Sequence, residues 1–254
     1  MQLAVTEQGE GRVVALLHGL FGAGQNFGAI HKALAASHQV LAMDLRNHGA
    51  SPHAASMTYP EMAADVAETL LAAGAVPAAV VGHSMGGKVA MALALARPDM
   101  VSRLVVADIA PVPYPPAFRG FADAMQGLTL TPGLTRKSAD AALAAAVPEA
   151  GVRAFLLQNL RFDTDLPAWR IGLGAIAASL PGIEDWPALP GRYEGPALFV
   201  SGERSDYIRP EHHAAIRALF PAARFATVPR AGHWVHAENP GGFLEAILPF
   251  IEGT

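Results

Sequence analysis

Along the first half of the chain, short apolar runs rich in β-branched residues alternate with longer helix-patterned segments, and that alternation restricts the fold more than any other feature. Such a rhythm calls for a parallel sheet whose strands are joined by crossover helices. Strands are expected at 13–17, 40–43, 78–81 and 104–107, with helices at 26–36, 61–73 and 85–96. All four strands are short and apolar throughout, as strands buried on both faces must be. The helix at 61–73 has Pro60 at its start and Gly74 just past its end, the ordinary asymmetry of helix termini.

The rhythm breaks at Pro111-Val112-Pro113-Tyr114-Pro115-Pro116. From there to about Pro190 no strand is apparent, only helix-like runs with large apolar residues such as Phe118, Phe121, Met125, Phe155 and Leu160. Alternation resumes with strands at 197–201 and 225–228 and helices at 211–220 and near 241–251. The expected organisation is therefore an α/β core made of 1–111 and 191–254, with a helical cap, 112–190, inserted into it.

Composition narrows the function classes. The net charge of −4 over 254 residues comes with no basic cluster, which argues against nucleic acid as a partner. No cysteine is present, so disulfides, thiolate metal sites and cysteine nucleophiles are excluded, and a reducing cytoplasm is the expected compartment. Residues 1–12 carry Glu7, Glu10 and Arg12 and lack the basic start and apolar run of a secretory signal. The uncharged-looking stretch 69–87 has the length of a membrane span, but Gly74, Pro77 and Gly82-His83-Ser84 break it into helix end, turn and strand.

The chemistry centres on Gly82-His83-Ser84-Met85-Gly86, a Gly-x-Ser-x-Gly pattern at a strand-to-helix junction. A serine on so sharp a turn is lifted above the sheet, and only small neighbours let the backbones pass. Ser84 is thus the candidate nucleophile. Its hydroxyl needs an imidazole to take the proton, and His233, between the last expected strand and helix, is the candidate; His236 is the alternative. The imidazole needs a carboxylate, and both Asp108 and Asp206 follow strands on the edge where Ser84 sits. Two backbone amides must face the oxyanion: Met85 after the nucleophile, and Leu20 in the loop after the first strand, with Phe21 as the alternative. The substrate's apolar part is expected to rest on Phe21, Phe118, Phe121, Met125 and Trp234.

Together these residues make the chain resemble the α/β-hydrolase superfamily over nearly its whole length, and most of all the bacterial YbfF-type esterases. The resemblance is carried by His18-Gly19-Leu20-Phe21-Gly22, Asp44-Leu45-Arg46-Asn47-His48-Gly49, Gly82-His83-Ser84-Met85-Gly86-Gly87-Lys88, Asp108-Ile109-Ala110-Pro111 and Gly232-His233-Trp234-Val235-His236. It implies an α/β-hydrolase fold, a mostly parallel sheet flanked by helices with an inserted helical cap. It also implies Asp108 rather than Asp206 as the acid, hydrolysis of a small-molecule carboxylic ester or acyl thioester, and no metal or cofactor.

Two other readings compete. Gly22 and Gly24 after a strand, with Asp44 at the next strand end, are ingredients of a dinucleotide site, although the third glycine falls one place late at Gly28. The same fold also hosts ligand receptors without catalytic turnover.

Overall fold

The computed structural model describes residues 1–163 and 165–253. Strand β4 (Ala78–His83), buried along its whole length, is the middle member of a seven-stranded sheet. The other members are β1 (Val5–Gln8), β2 (Arg12–Leu17), β3 (His38–Met43), β5 (Val101–Ala107), β8 (Ala197–Gly202) and β9 (Ala223–Val228), in the order β1-β3-β2-β4-β5-β8-β9. All neighbouring pairs are parallel except β1 with β3.

Successive strand residues point to opposite faces, and each face builds its own core. Leu17, Val80, Val106 and Phe199 pack on the side of α2 (Tyr59–Ala72) and α3 (Met85–Ala96). Leu16, Val81, Val105 and Leu198 pack on the side of α1 (Gly28–Leu34) and α10 (Pro240–Glu252). The stretch 69–87 resolves into the end of α2, a turn, β4 and the start of α3, and no helix among the described residues is long and apolar enough to cross a membrane. At the start of α2, Thr58 and Glu61 form a reciprocal cap, which satisfies amides that the first helical turn leaves unpaired.

Between β5 and β8 the chain forms α4 (Arg119–Gly127), α5 (Arg136–Leu143), α6 (Ala150–Leu157) and α7 (Leu173–Glu184). Leu128, Ala139, Leu143, Leu157 and Leu160 give this segment a small core of its own. Glu184 Oε1 accepts the Ala117 and Phe118 amides at 2.7 and 3.0 Å, joining the beginning and end of the insertion. The expectation of no strand here needs correcting: β6 (Leu160–Arg161) pairs antiparallel with β7 (Ala168–Trp169). Two-residue strands are too short to produce a readable alternation. Two further helices, α8 (His213–Leu219) and α9 (Val235–Glu238), precede α10.

Candidate active site

Ser84 stands between β4 and α3 with φ 52° and ψ −119°, in a region that non-glycine residues rarely occupy. The glycines around it are required by contact. A Cβ on Gly82 would lie 2.2 Å from the Gly86 carbonyl oxygen, and one on Gly86 would lie 2.2 Å from the Leu17 carbonyl oxygen. The turn therefore closes only because both positions lack side chains, and it leaves Ser84 at the carboxyl end of the sheet.

Three loops from that same edge meet there. His233, on the connection between β9 and α9, places Nε2 3.1 Å from Ser84 Oγ and Nδ1 2.8 Å from Asp108 Oδ2. With Nδ1–H donated to the carboxylate, the Nε2 lone pair is left to accept the Ser84 hydroxyl. Asp108, fully buried just past β5, accepts the Gly202 amide on Oδ1 at 3.1 Å and the Ser205 hydroxyl on Oδ2. Asp206 is exposed, and no hydrogen bond links it to His233 among the described residues. The ring that sequence alone could not assign to one acid is thus on Asp108. His236 is buried one turn away and stacks on Phe27 at 4.4 Å, with no bond to Ser84.

Contacts that the sequence did not single out fix the His233 ring. His83 Nε2 donates to the His233 carbonyl at 2.8 Å, and Tyr207 stacks on the imidazole with centroids 3.9 Å apart. Ser205 and Tyr207 flank Asp206 in the loop after β8, and it is these two, bonded to Asp108 and stacked on His233, that touch the pair.

The loop after β2 is held by two buried neutral histidines. His18 donates from Nδ1 to the Gly19 carbonyl and accepts the Leu45 amide on Nε2; His48 donates from Nδ1 to the Arg46 carbonyl and accepts the Phe21 amide on Nε2. Burial pushes their pKa values down to about 4 and about 3. The Phe21 amide is thus occupied, by His48 Nε2 at 3.1 Å. Leu20 N–H has no partner among the described residues, and Met85 N–H opens α3, where no intrahelical acceptor exists. Asp44, needed by the dinucleotide reading for a ribose, instead accepts the Gly24 and Ala50 amides at 2.7 and 2.8 Å.

A cavity opens beside Ser84 and His233, with Phe21, Phe118, Phe121, Phe155 and Trp234 on its wall. Met125 is not on that wall, which corrects the expectation for it. Its side chain is fully buried in the core beneath α4, because the helix turns that face inward. Phe155 was absent from the expected set and takes part through its contact with Trp234, centroids 6.0 Å apart.

A serine, imidazole and carboxylate in this order, at the carboxyl edge of a mostly parallel sheet, define a class. The chain belongs to the α/β hydrolase fold family, whose model matches residues 12–240. Within it, the chain is 44% identical over 246 residues to the mouse (Mus musculus) sn-1-specific diacylglycerol lipase ABHD11, covering 94% of this chain and 80% of that one. It is 38% identical over 240 residues to Esterase YbfF of Escherichia coli, covering 94% and 92%. A solved structure described as a marine microorganism esterase superposes with a TM-score of 0.94 at 36% identity, covering 98% of this chain and 99% of that chain.

Proposed function

We propose that this carboxylic ester hydrolase works by two-step acyl transfer through Ser84. The observation that carries the reading is the line from Ser84 Oγ to His233 Nε2, 3.1 Å, and from His233 Nδ1 to Asp108 Oδ2, 2.8 Å. His233 takes the hydroxyl proton as Ser84 Oγ attacks the ester carbonyl, and Asp108 stabilises the imidazolium that forms. The amides of Leu20 and Met85 receive the oxyanion. Collapse breaks the carbonyl–alkoxy bond, and His233 gives its proton to the departing alcohol. Water then attacks the acyl-enzyme with His233 as base, which releases the acid and restores the serine. The insertion 112–190 acts as a cap over this site, with Phe21, Phe118, Phe121, Phe155 and Trp234 receiving the apolar part of the substrate. Acyl thioesters of small molecules fall within the same chemistry, and the cytoplasm expected from the sequence is its place of action.

The test is labelling by a fluorophosphonate probe together with turnover of p-nitrophenyl esters. Wild-type protein is expected to do both, and Ser84→Ala to lose labelling and at least about 10³-fold in kcat. A folded wild-type protein that neither labels nor turns over would favour a ligand receptor on this fold.

A further inference from the structure

Lys88 has no part in the acyl transfer described above, yet it is among the largest fully buried side chains. Its amide donates to the Ser84 carbonyl at 3.1 Å, so it stands one turn beyond the nucleophile. Its Nζ donates to the Asp185 and Glu184 carbonyls at 2.7 and 3.3 Å and lies 5.6 and 5.0 Å from the ring centres of Tyr59 and Tyr114. An ammonium has three donors; the third has no hydrogen-bond partner among the described residues. Taking such a group out of water is costly, and replacement by an apolar side chain of similar volume is often neutral or stabilising. Packing alone therefore does not account for a lysine here.

Lys88 also borders a second, small cavity beside Ser84, shared with Leu20, Met85 and Glu184. Glu184 Oε1 is occupied by two amides, while Oε2 takes no hydrogen bond among the described residues. The cavity thus presents one spare donor and one spare acceptor. Which half of an ester enters it follows from the proton path, and so rests on the acyl-transfer reading. The departing alcohol oxygen must receive its proton from His233, which lines the first cavity and not the second. The second cavity, with the Met85 oxyanion amide on its wall, is left for the acyl group.

We infer that this second cavity is an acyl subsite selecting a short acyl chain that bears a hydroxyl group, which accepts from Lys88 and donates to Glu184. A plain hydrocarbon chain would leave both groups dry. An acyl carboxylate would face the Glu184 carboxylate. Burial also pulls Lys88 down to about 7, so the spare donor belongs to its ammonium form, which gains on the free amine as pH falls through that value.

The experiment compares p-nitrophenyl 3-hydroxybutyrate with the isosteric 3-methylbutyrate on the full chain, as a ratio of kcat/KM, in wild type and Lys88→Met. The ratio cancels effects on Ser84 common to both esters. It is expected to fall about tenfold in the variant, the worth of one hydrogen bond from such a donor; a fall of less than threefold overturns the inference. Should Lys88→Met fail to fold, wild type alone decides. Pentyl 3-hydroxybutyrate is expected to be cleaved faster than its isomer with the hydroxyl on the alcohol, after division by their rates in alkali, and equal or reversed rates overturn it. Normal fluorophosphonate labelling with a flat ratio removes this inference alone. Loss of both labelling and turnover removes the acyl-transfer reading and this inference with it.

Discussion

Ser84 and Asp108 each end a strand at positive φ, 52° and 54°. A non-glycine residue held there costs of order 1–3 kcal/mol, which the surrounding packing must offset. The return is that both side chains project over the sheet edge where the loop carrying His233 can reach them. For Asp108 the consequence is testable against its rival. In Asp108→Asn, an amide NH2 turned toward the imidazole disfavours the Nδ1–H tautomer, so that Nε2 carries the proton and can no longer accept the Ser84 hydroxyl. We expect kcat on p-nitrophenyl esters to fall by about 10⁴. Asp206→Asn alters an exposed side chain and is expected to stay within about twofold of wild type. Comparable losses in the two variants would remove Asp108 from the assigned role.

At the scale of elements, β2, β4 and α3 approach so closely that backbone meets backbone. The Cβ of Gly86→Ala would sit 2.2 Å from the Leu17 oxygen and 2.5 Å from the His18 oxygen, neither of which can swing aside as a side-chain tip would. Gly174, inside α7, has open space around the corresponding position. Circular-dichroism melts should show Gly86→Ala destabilised by more than about 3 kcal/mol, and Gly174→Ala unchanged or slightly stabilised. A Gly86→Ala melt matching wild type would mean that the turn has slack that its contacts deny. This crowding is also why the elbow was legible in sequence: a local steric demand leaves a local glycine pattern. The central strands were legible because burial on both faces makes them apolar throughout. β1 was not, since Val-Thr-Glu-Gln is an exposed edge strand whose pairing with β3 is its main reason to exist. Met125 shares helical spacing with Phe118 and Phe121, and spacing does not say which part of a face meets a cavity and which a core. Likewise, Asp108 and Asp206 both follow strand ends, and only the loop path that brings Ser205 to Asp108 separates them.

Across the whole molecule, buried histidines cluster on the carboxyl edge of the sheet and make stability sensitive to acid. His18, His48 and His236 are held down to about 4, about 3 and about 4, and His83 well below its ordinary value, in each case chiefly because burial disfavours the imidazolium. In the unfolded chain all four titrate near 6.5. Between about pH 6.5 and pH 4 the unfolded state therefore binds more protons than the folded one, and stability rises with pH across that window. The contribution is complete above the unfolded value and disappears as pH falls toward the folded ones. Each histidine adds a slope of at most about 1.4 kcal/mol per pH unit. With half of that sum realised between pH 7.5 and pH 5.0, Tm should drop by about 10 °C in a chain of this size. The drop should be smaller in His236→Gln, which removes one of the four titrations. Because the Phe21 and Leu45 amides donate to the lone pairs of His48 and His18, protonation would also break the bonds that hold the Leu20 loop beside Ser84. Thermal melts at stepped pH decide the matter: a Tm that stays flat within about 2 °C from pH 7.5 to pH 5.0 would mean that these histidines are not kept neutral by the fold.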